Sequence, residues 1–149
     1  MFKHILVPTD GSALSSKVVK QAVQLAKELG ARVTALHIVG NFRPVVHEGG
    51  FFMPEIPELR KRFEEETSGH AKKVLDAVKK VAETAGVDCD AVAMTGDIPY
   101  DMIIKQANKA KCDLIMMASH GRRGLQGILL GSETQKVLTH SKIPVLVCR

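Results

Sequence analysis

Short apolar runs alternate with segments of helical periodicity along the whole 149-residue chain, and this alternation constrains the fold more than any other feature. The apolar runs are predicted strands at residues 5–7, 33–39, 87–94, 114–118 and 145–148. Between them, apolar residues recur three and four positions apart, as on one face of a helix. Strands that alternate with helices build βαβ units around a parallel sheet. The sequence therefore predicts one α/β domain over residues 1–149: a doubly wound, five-stranded parallel sheet with helices on both faces.

Glycine, proline and serine mark the helix ends. The predicted limits are a first helix ending at Gly30, a long second helix broken near Ser68 and Gly69, a third from Asp97 and Pro99 to about Ala110, and a fourth from Ser132 to near His140. The 40–56 connection is long, which is typical of functional or mobile loops. Asp88 and Asp90 give the third strand one polar side at its start, and Pro144 precedes the last strand, so both are predicted edge strands.

Composition excludes several classes of protein. A chain that is 45% hydrophobic and 25% charged is typical of globular proteins. With no Trp and one Tyr it offers few stacking platforms, so no nucleic acid partner is expected despite the net charge of +5. The three cysteines are far apart and form no Cys-x-x-Cys, which indicates neither a disulfide framework nor a zinc site. No apolar run is long enough for a membrane span, and the start has no signal-peptide layout, so we expect a cytoplasmic protein without a membrane partner.

The segment from Ala118 to Ser132 is longer than a strand-to-helix connection requires and is rich in glycine. Glycine lets a backbone approach a ligand closely. Gly131 and Ser132 stand where a helix begins, so free N–H groups and the positive dipole end favour a bound phosphate. Arg122 adds positive charge, and His120 is interpreted as a phosphate contact because no nucleophile is marked near it. The alternative stays open that Ser132 and Gln135 only form a capping box and the glycines only make turns.

Pro8, Thr9 and Asp10 follow the first strand. In open α/β sheets, ligands bind beyond the carboxyl ends of strands where the strand order reverses. A carboxylate there suits ribose hydroxyls or a phosphate-bound Mg²⁺. Asp10 equally suits the role of capping the following turn.

These two segments together resemble the universal stress protein family over the whole chain. Residues 5–12 are similar to the N-terminal signature of the family, and residues 35–39 to its second strand. The glycine-rich segment resembles the nucleotide motif Gly-x-x-Gly, nine residues, then Gly-Ser or Gly-Thr. Gly121, Gly131 and Ser132 fit that spacing, whereas Ala118 stands at the first glycine.

The resemblance implies binding of ATP with Mg²⁺, with AMP or ADP as possible ligands. Carried over by position, Gly121, Gly131 and Ser132 hold the phosphates, and Ala118, His120, Arg122 and Thr134 complete that side. Asp10 holds the ribose, Pro8 and Thr9 line the site, and the Ile38 backbone meets the adenine. Two residues depart from the pattern. The Ala118 methyl is tolerable only at a negative φ, and the Glu133 carboxylate would repel a phosphate at the helix start.

The function that follows is a nucleotide-dependent stress-response switch with slow or no hydrolysis. Gly-x-Ser-x-Gly and the Walker phosphate loop are both absent from the sequence, so no enzyme class is indicated. A homodimer through strand 145–148 is expected, because this apolar edge comes last in the chain. The alternative is a dimeric interaction protein of the same fold that binds no nucleotide.

Overall fold

The computed structural model describes residues 1–43, 57–121 and 130–149, in which strands and helices alternate. The elements are β1 (His4–Pro8), α1 (Ala13–Leu29), β2 (Arg32–Val39), α2 (Pro57–Ala85), β3 (Cys89–Thr95), α3 (Pro99–Lys109), β4 (Leu114–Ala118), α4 (Ser132–His140) and β5 (Val145–Cys148). All strand pairs are parallel, and the sheet order is β3-β2-β1-β4-β5. The predicted doubly wound α/β sheet is confirmed.

Two apolar clusters lie on opposite faces of the sheet, because successive side chains of a strand point to opposite sides. Ile5 and Val33 belong to the cluster that α1 and α2 cover. Leu6 and Leu36 belong to the cluster that α3 and α4 cover. Helices therefore cover both faces, as predicted.

The predicted break in the second helix is wrong, because α2 is continuous from Pro57 to Ala85. A β-carbon added at Gly69 would meet no atom within 4 Å. A glycine in such an open helical position costs only about 1 kcal/mol relative to alanine. Burial of Ala71, Leu75 and Val78 on the sheet side of the same helix outweighs that cost.

The third strand begins at Cys89 rather than at residue 87, because Val87 still takes part in the turn that ends α2. Gly86 adopts a left-handed conformation with φ of 72°. The N–H of Val87 then donates to the carbonyl of Ala82 at 2.9 Å. This pattern satisfies helix-end carbonyls and ends helices in many proteins. Strand pairing starts only after it, with Val33 opposite Cys89.

The strands β3 and β5 lie at the two edges of the sheet, as the sequence predicted. Asp88, just before β3, and Asp90, on it, are both exposed and form salt bridges with Arg32. Within the described ranges, no helix is long and apolar enough to span a bilayer.

The chain reverses its direction of winding between β1 and β4, which are neighbours at the centre of the sheet. From β1 it proceeds outward through β2 to β3, and from β4 it proceeds to β5 on the other side. The chain goes from β1 to α1 on one face of the sheet and from β4 to α4 on the other, so a crevice lies between the carboxyl ends of these two strands. This is the place where open α/β sheets bind ligands.

Candidate functional site

The two segments that the sequence singled out meet in this crevice. Asp10 follows β1 and Gly121 follows β4, more than a hundred residues later. A β-carbon built on Gly121 would lie only 2.8 Å from Asp10 Oδ2. The carboxylate thus rests against the backbone of Gly121, and the absence of a side chain at Gly121 makes that approach possible.

The turn after β1 is held firmly by Thr9. Its N–H donates to the carbonyl of Leu36 at 2.8 Å, and its hydroxyl lies 3.0 Å from Ser15 Oγ. Thr9 is buried and Pro8 is half-buried at the end of β1. Both residues therefore have fixed positions at the point where the chain leaves β1.

Asp10 caps the turn after β1, which is one of the two roles that the sequence left open. Its Oδ1 accepts a hydrogen bond from the N–H of Ser12 at 2.9 Å and so caps the turn that precedes α1. Its Oδ2 faces Gly121 across the crevice. Turn capping fixes the side chain in the orientation that presents the second oxygen to the β4 side.

The alternative of a capping box formed by Ser132 and Gln135 is wrong. The N-cap of α4 is Gly131, with extended φ and ψ of −68° and 151° and without a side-chain cap hydrogen bond. The Gly131 N–H donates to the carbonyl of Ser119 at 2.7 Å, which fixes the cap one residue earlier than that capping box requires. Ser132 is the first helical residue. The first-turn N–H groups have no intrahelical acceptor, so they carry the positive end of the helix dipole.

Gly131 also lets α4 start directly against the end of β4. A β-carbon on Gly131 would lie 3.2 Å from His120 Cα and 3.3 Å from Ser119 O, which is tighter than ordinary contact. The need for glycine here comes from this approach of the chain to itself. The result is that the N-terminus of α4 adjoins the same loop whose Gly121 meets Asp10.

The remaining predicted residues on this side have structural contacts. Ala118 ends β4 and is buried, and Lys111 is the only described non-glycine residue with a positive φ, so the Ala118 methyl causes no backbone strain. Thr134 is buried and donates its hydroxyl to the Ala118 carbonyl at 3.1 Å, which ties α4 to β4. His120 is half-buried, with Nδ1 3.2 Å from Ser119 Oγ. Arg122 lies outside the described residues.

The Glu133 carboxylate binds the start of α3 and a lysine of its own helix, which sequence reasoning missed. Its Oε2 accepts a hydrogen bond from the N–H of Tyr100 at 2.9 Å, and its Oε1 pairs with Lys136 Nζ at 2.8 Å. The N-cap of α3 is Ile98, which has no side chain able to cap, so Glu133 supplies that cap from α4. The carboxylate is thus partly neutralised, which lessens the repulsion expected between it and a phosphate. The apolar Ile98 before Pro99 indicates that the start of α3 needs a cap from elsewhere in the fold, but it does not identify Glu133 as the source.

Ile38 lies on β2 beyond the point where β1 ends. Its side chain packs against the cluster under α3 and α4. Backbone polar groups alternate sides along a strand: the Leu36 carbonyl accepts from Thr9, and the Val39 carbonyl accepts from Gly96 near β3. The N–H and carbonyl of Ile38 therefore point toward the β1 side, into the space beyond Thr9.

The exit from β2 is fixed by Asp97, which follows β3. The N–H and the side-chain amide of Asn41 both donate to the Asp97 carboxylate at 3.1 Å. Hydrogen bonds from Asn41, together with the nearby Arg43 guanidinium, hold the pKa of Asp97 below its usual value. The chain next to Ile38 is thereby anchored to the neighbouring loop.

Comparisons with known proteins agree with this fold. The model of the universal stress protein family matches residues 1–149. Universal stress protein MJ0531 of Methanocaldococcus jannaschii is 37% identical over 151 aligned residues, covering 100% of this chain and 83% of that protein. The solved structure of universal stress protein MJ0577 of the same organism has a TM-score of 0.84 at 30% identity, covering 99% of this chain and 95% of that one.

A more distant solved structure contains a nucleotide. The universal stress protein from Archaeoglobus fulgidus in complex with dAMP has a TM-score of 0.69 at 18% identity and covers 100% of this chain and 98% of its own. At this identity the similarity to the present chain extends to the fold.

Proposed function

The chain belongs to the universal stress protein family, and we propose that it binds one adenine nucleotide, ATP with Mg²⁺, in the crevice between β1 and β4. The observation that carries this proposal is the approach of Asp10 Oδ2 to Gly121 beside the N-terminus of α4. The Asp10 carboxylate, which can accept from hydroxyl groups, and the N–H groups at the start of α4, which can donate to phosphates, thereby lie near the same crevice. AMP and ADP have the same base and ribose and are expected to compete.

The phosphate end of the proposed site is the loop after β4 together with the first turn of α4. The first turn of α4, from Ser132 onward, offers backbone N–H groups and a helix dipole, which favour an anion, and Gly131 allows this turn to begin close to Ser119 and His120. Gly121 is exposed and has no side chain, so a ligand can approach its backbone closely. Repulsion between Glu133 and the phosphates is reduced, because its carboxylate is paired with Lys136 and accepts a hydrogen bond from the Tyr100 N–H.

The ribose and adenine are assigned to the other end of the site. The Asp10 carboxylate is a suitable acceptor for ribose hydroxyl groups. Ile38 directs a backbone N–H and a carbonyl toward the same space, and adenine offers complementary acceptor and donor atoms on its edge. Pro8 and Thr9 form the wall between these two positions.

The residues also fit Mg²⁺ that arrives with the nucleotide. Mg²⁺ in phosphate sites is usually held by one or two carboxylates together with phosphate oxygens and water. Asp10 provides one such carboxylate. Within the described parts of the chain, no cluster of three His, Cys, Asp or Glu residues forms a self-sufficient metal site.

We expect the protein to hold ATP rather than turn it over quickly, in keeping with a nucleotide-dependent stress-response switch. Rapid phosphoryl transfer requires a residue that orients the attacking nucleophile. The hydroxyl groups of Thr9 and Thr134 are already hydrogen-bonded to Ser15 and to the Ala118 carbonyl, so neither is placed to orient an attacking water. Turnover far below the typical kinase range of about 1–100 per second is therefore expected.

A homodimer through β5 is part of the same proposal. The strand lies at the edge of the sheet, and Leu146 is 42% exposed on it. An apolar edge strand pairs readily with a copy of itself, and a two-fold contact satisfies both edges.

Isothermal titration calorimetry with MgATP, supported by thermal unfolding, tests the proposal. We expect one site per chain, and a nucleotide at 100 times its dissociation constant should stabilise the fold by about 2.7 kcal/mol. Asp10→Asn keeps an oxygen for the Ser12 N–H but removes the charge, so affinity should fall about tenfold or more. Asp88→Asn, an exposed position beside the distant β3 edge, is the matched control. Absence of heat and of any thermal shift at millimolar MgATP would refute the proposal in favour of a dimeric interaction protein that binds no nucleotide.

A further inference from the structure

His37 is a buried polar residue within the 35–39 segment, and nothing in the proposed binding contacts uses it. It lies on β2 with 6% of its surface exposed. Its Nδ1 is 2.8 Å from the carbonyl oxygen of Thr9, a contact that is itself buried. Because a carbonyl only accepts hydrogen bonds, Nδ1 must carry the proton and donate it.

This hydrogen bond lies just past the point where the backbone pairing of β1 and β2 ends. The last paired residues of β1 and β2 are Pro8 and Leu36. The Thr9 N–H still reaches the Leu36 carbonyl, but the Thr9 carbonyl has passed beyond the strand. His37 therefore attaches the main chain to β2 one step further than the backbone does, at the peptide group that links Thr9 to Asp10.

Thr9 is consequently held through all three of its polar groups. The N–H bonds to Leu36, the hydroxyl lies within hydrogen-bond distance of Ser15, and the carbonyl accepts from His37. The peptide that carries the Thr9 carbonyl also sets the direction in which Asp10 leaves the sheet. Rotation of this peptide would move the Asp10 carboxylate, whose Oδ2 lies close to Gly121.

The ring of His37 is itself supported from α2. The His70 ring packs against it edge-on, with ring centroids 5.5 Å apart and planes inclined by 65°. Edge-to-face packing of this kind favours one ring orientation over others. Thus α2, which is remote in sequence from both nucleotide-binding segments, contributes to the placement of the Thr9 carbonyl.

We propose that His37 is a positioning residue of the nucleotide site, which acts by fixing the Thr9–Asp10 peptide so that the Asp10 carboxylate faces Gly121. This inference rests on the proposed function and adds a determinant of affinity that makes no contact with the ligand. It predicts that nucleotide binding weakens when a substitution at the buried His37 removes the donor at the Nδ1 position.

Three substitutions at His37 separate positioning from general stability. His37→Leu removes the donor, His37→Asn places its amide nitrogen near the position of Nδ1, and His37→Gln extends its amide toward the position of Nε2 instead. The control is His4→Leu. His4 is 9% exposed on β1, and its Nε2 lies 2.7 Å from Thr34 Oγ1 near the amino end of the sheet.

Two measurements are made on each variant: MgATP affinity by calorimetry, and hydrogen exchange of the Gly11 and Ser12 amides without nucleotide. These amides donate to Thr9 Oγ1 and Asp10 Oδ1 and so report the turn directly. We expect His37→Leu to weaken MgATP binding and to speed exchange of both amides, each by about tenfold. His37→Asn should recover most of the affinity, whereas His4→Leu should lower the melting temperature and change neither measurement.

Unchanged affinity in a folded His37→Leu protein would overturn the inference, as would an equal loss in His4→Leu. If His37→Leu does not fold, the comparison of His37→Asn with His37→Gln carries the test, and equal affinity in those two variants would overturn it. Failure of the wild type to bind any nucleotide would refute the proposed function itself, which distinguishes that outcome from a failure of His37 alone.

Discussion

Substituting alanine for Gly121 places a single methyl group where Asp10 Oδ2 approaches the loop after β4. The added β-carbon would lie 2.8 Å from that oxygen and 3.8 Å from Asp10 Cγ. Restoring ordinary contact requires the carboxylate to move by roughly half an ångström or more. Because the carboxylate is the end of a side chain, rotation of Asp10 is the cheapest response. That rotation lengthens the 2.9 Å hydrogen bond between Ser12 N–H and Asp10 Oδ1.

We expect Gly121→Ala to lower the affinity for MgATP more than it lowers the free energy of unfolding. Weakening one partly solvated hydrogen bond lowers the free energy of unfolding by about 1 kcal/mol. The alanine offsets part of this by restricting the unfolded chain, which contributes about 0.4–1 kcal/mol. The displaced carboxylate no longer meets the ribose, so MgATP affinity should fall about tenfold, equivalent to about 1.4 kcal/mol.

Calorimetry with MgATP and urea denaturation measure the two quantities separately. Gly69→Ala is the matched control, since its β-carbon would meet no atom within 4 Å. In the interior of α2 it should stabilise the protein by about 0.5–1 kcal/mol and leave affinity unchanged. If Gly121→Ala binds MgATP as tightly as the wild type, the contact between Asp10 and Gly121 is not part of the binding site and the reasoning fails.

Two further predictions concern pH and assembly. Burial tends to raise the pKa of Asp113, but hydrogen bonds from the His4 and Lys3 N–H groups outweigh it and hold that pKa below its ordinary value. A lowered folded-state pKa contributes stability above the unfolded pKa of about 4 that is lost as pH falls through the folded value. Asp113→Asn should therefore lower stability at pH 7 and flatten its decline in acid; urea denaturation showing the same loss at pH 7 and pH 2 would contradict this. Leu146→Lys, at a position 42% exposed on β5, should convert the proposed dimer to a folded monomer, and light scattering that finds the wild type monomeric at tens of micromolar would refute the dimer.

Periodicity predicted those elements whose ends carry strong local signals. The limits of β4, α4 and β5 agree with the sequence pattern, because a buried apolar run, a glycine–serine start and a proline define them. The continuity of α2 was not predictable from Gly69 alone. Whether a glycine breaks a helix depends on the burial of the opposite face, which is a tertiary quantity.

The sequence predicted several residues of the candidate site but not the hydrogen bonds that hold them in place. Strand-end position indicated Asp10, and glycine spacing indicated Gly121 and Gly131. The start of α4 at Ser132 was predicted, but the hydrogen bond from the Gly131 N–H to the Ser119 carbonyl was not, because Ser119 lies twelve residues earlier in the chain. The orientation of Glu133 toward Tyr100 depends on how α3 packs beside α4, which local sequence does not encode.

The central claim is that an adenine nucleotide occupies the crevice between the loops after β1 and β4. Titrating MgATP into ¹⁵N-labelled protein and following backbone amide resonances tests it most directly. The account predicts the largest shifts at residues 10–12, 119–121 and 131–134 and at Ile38, with only small changes along the exposed faces of α1 and α2. Saturating MgATP that leaves these resonances unmoved, or that shifts mainly residues between α1 and α2, would contradict it.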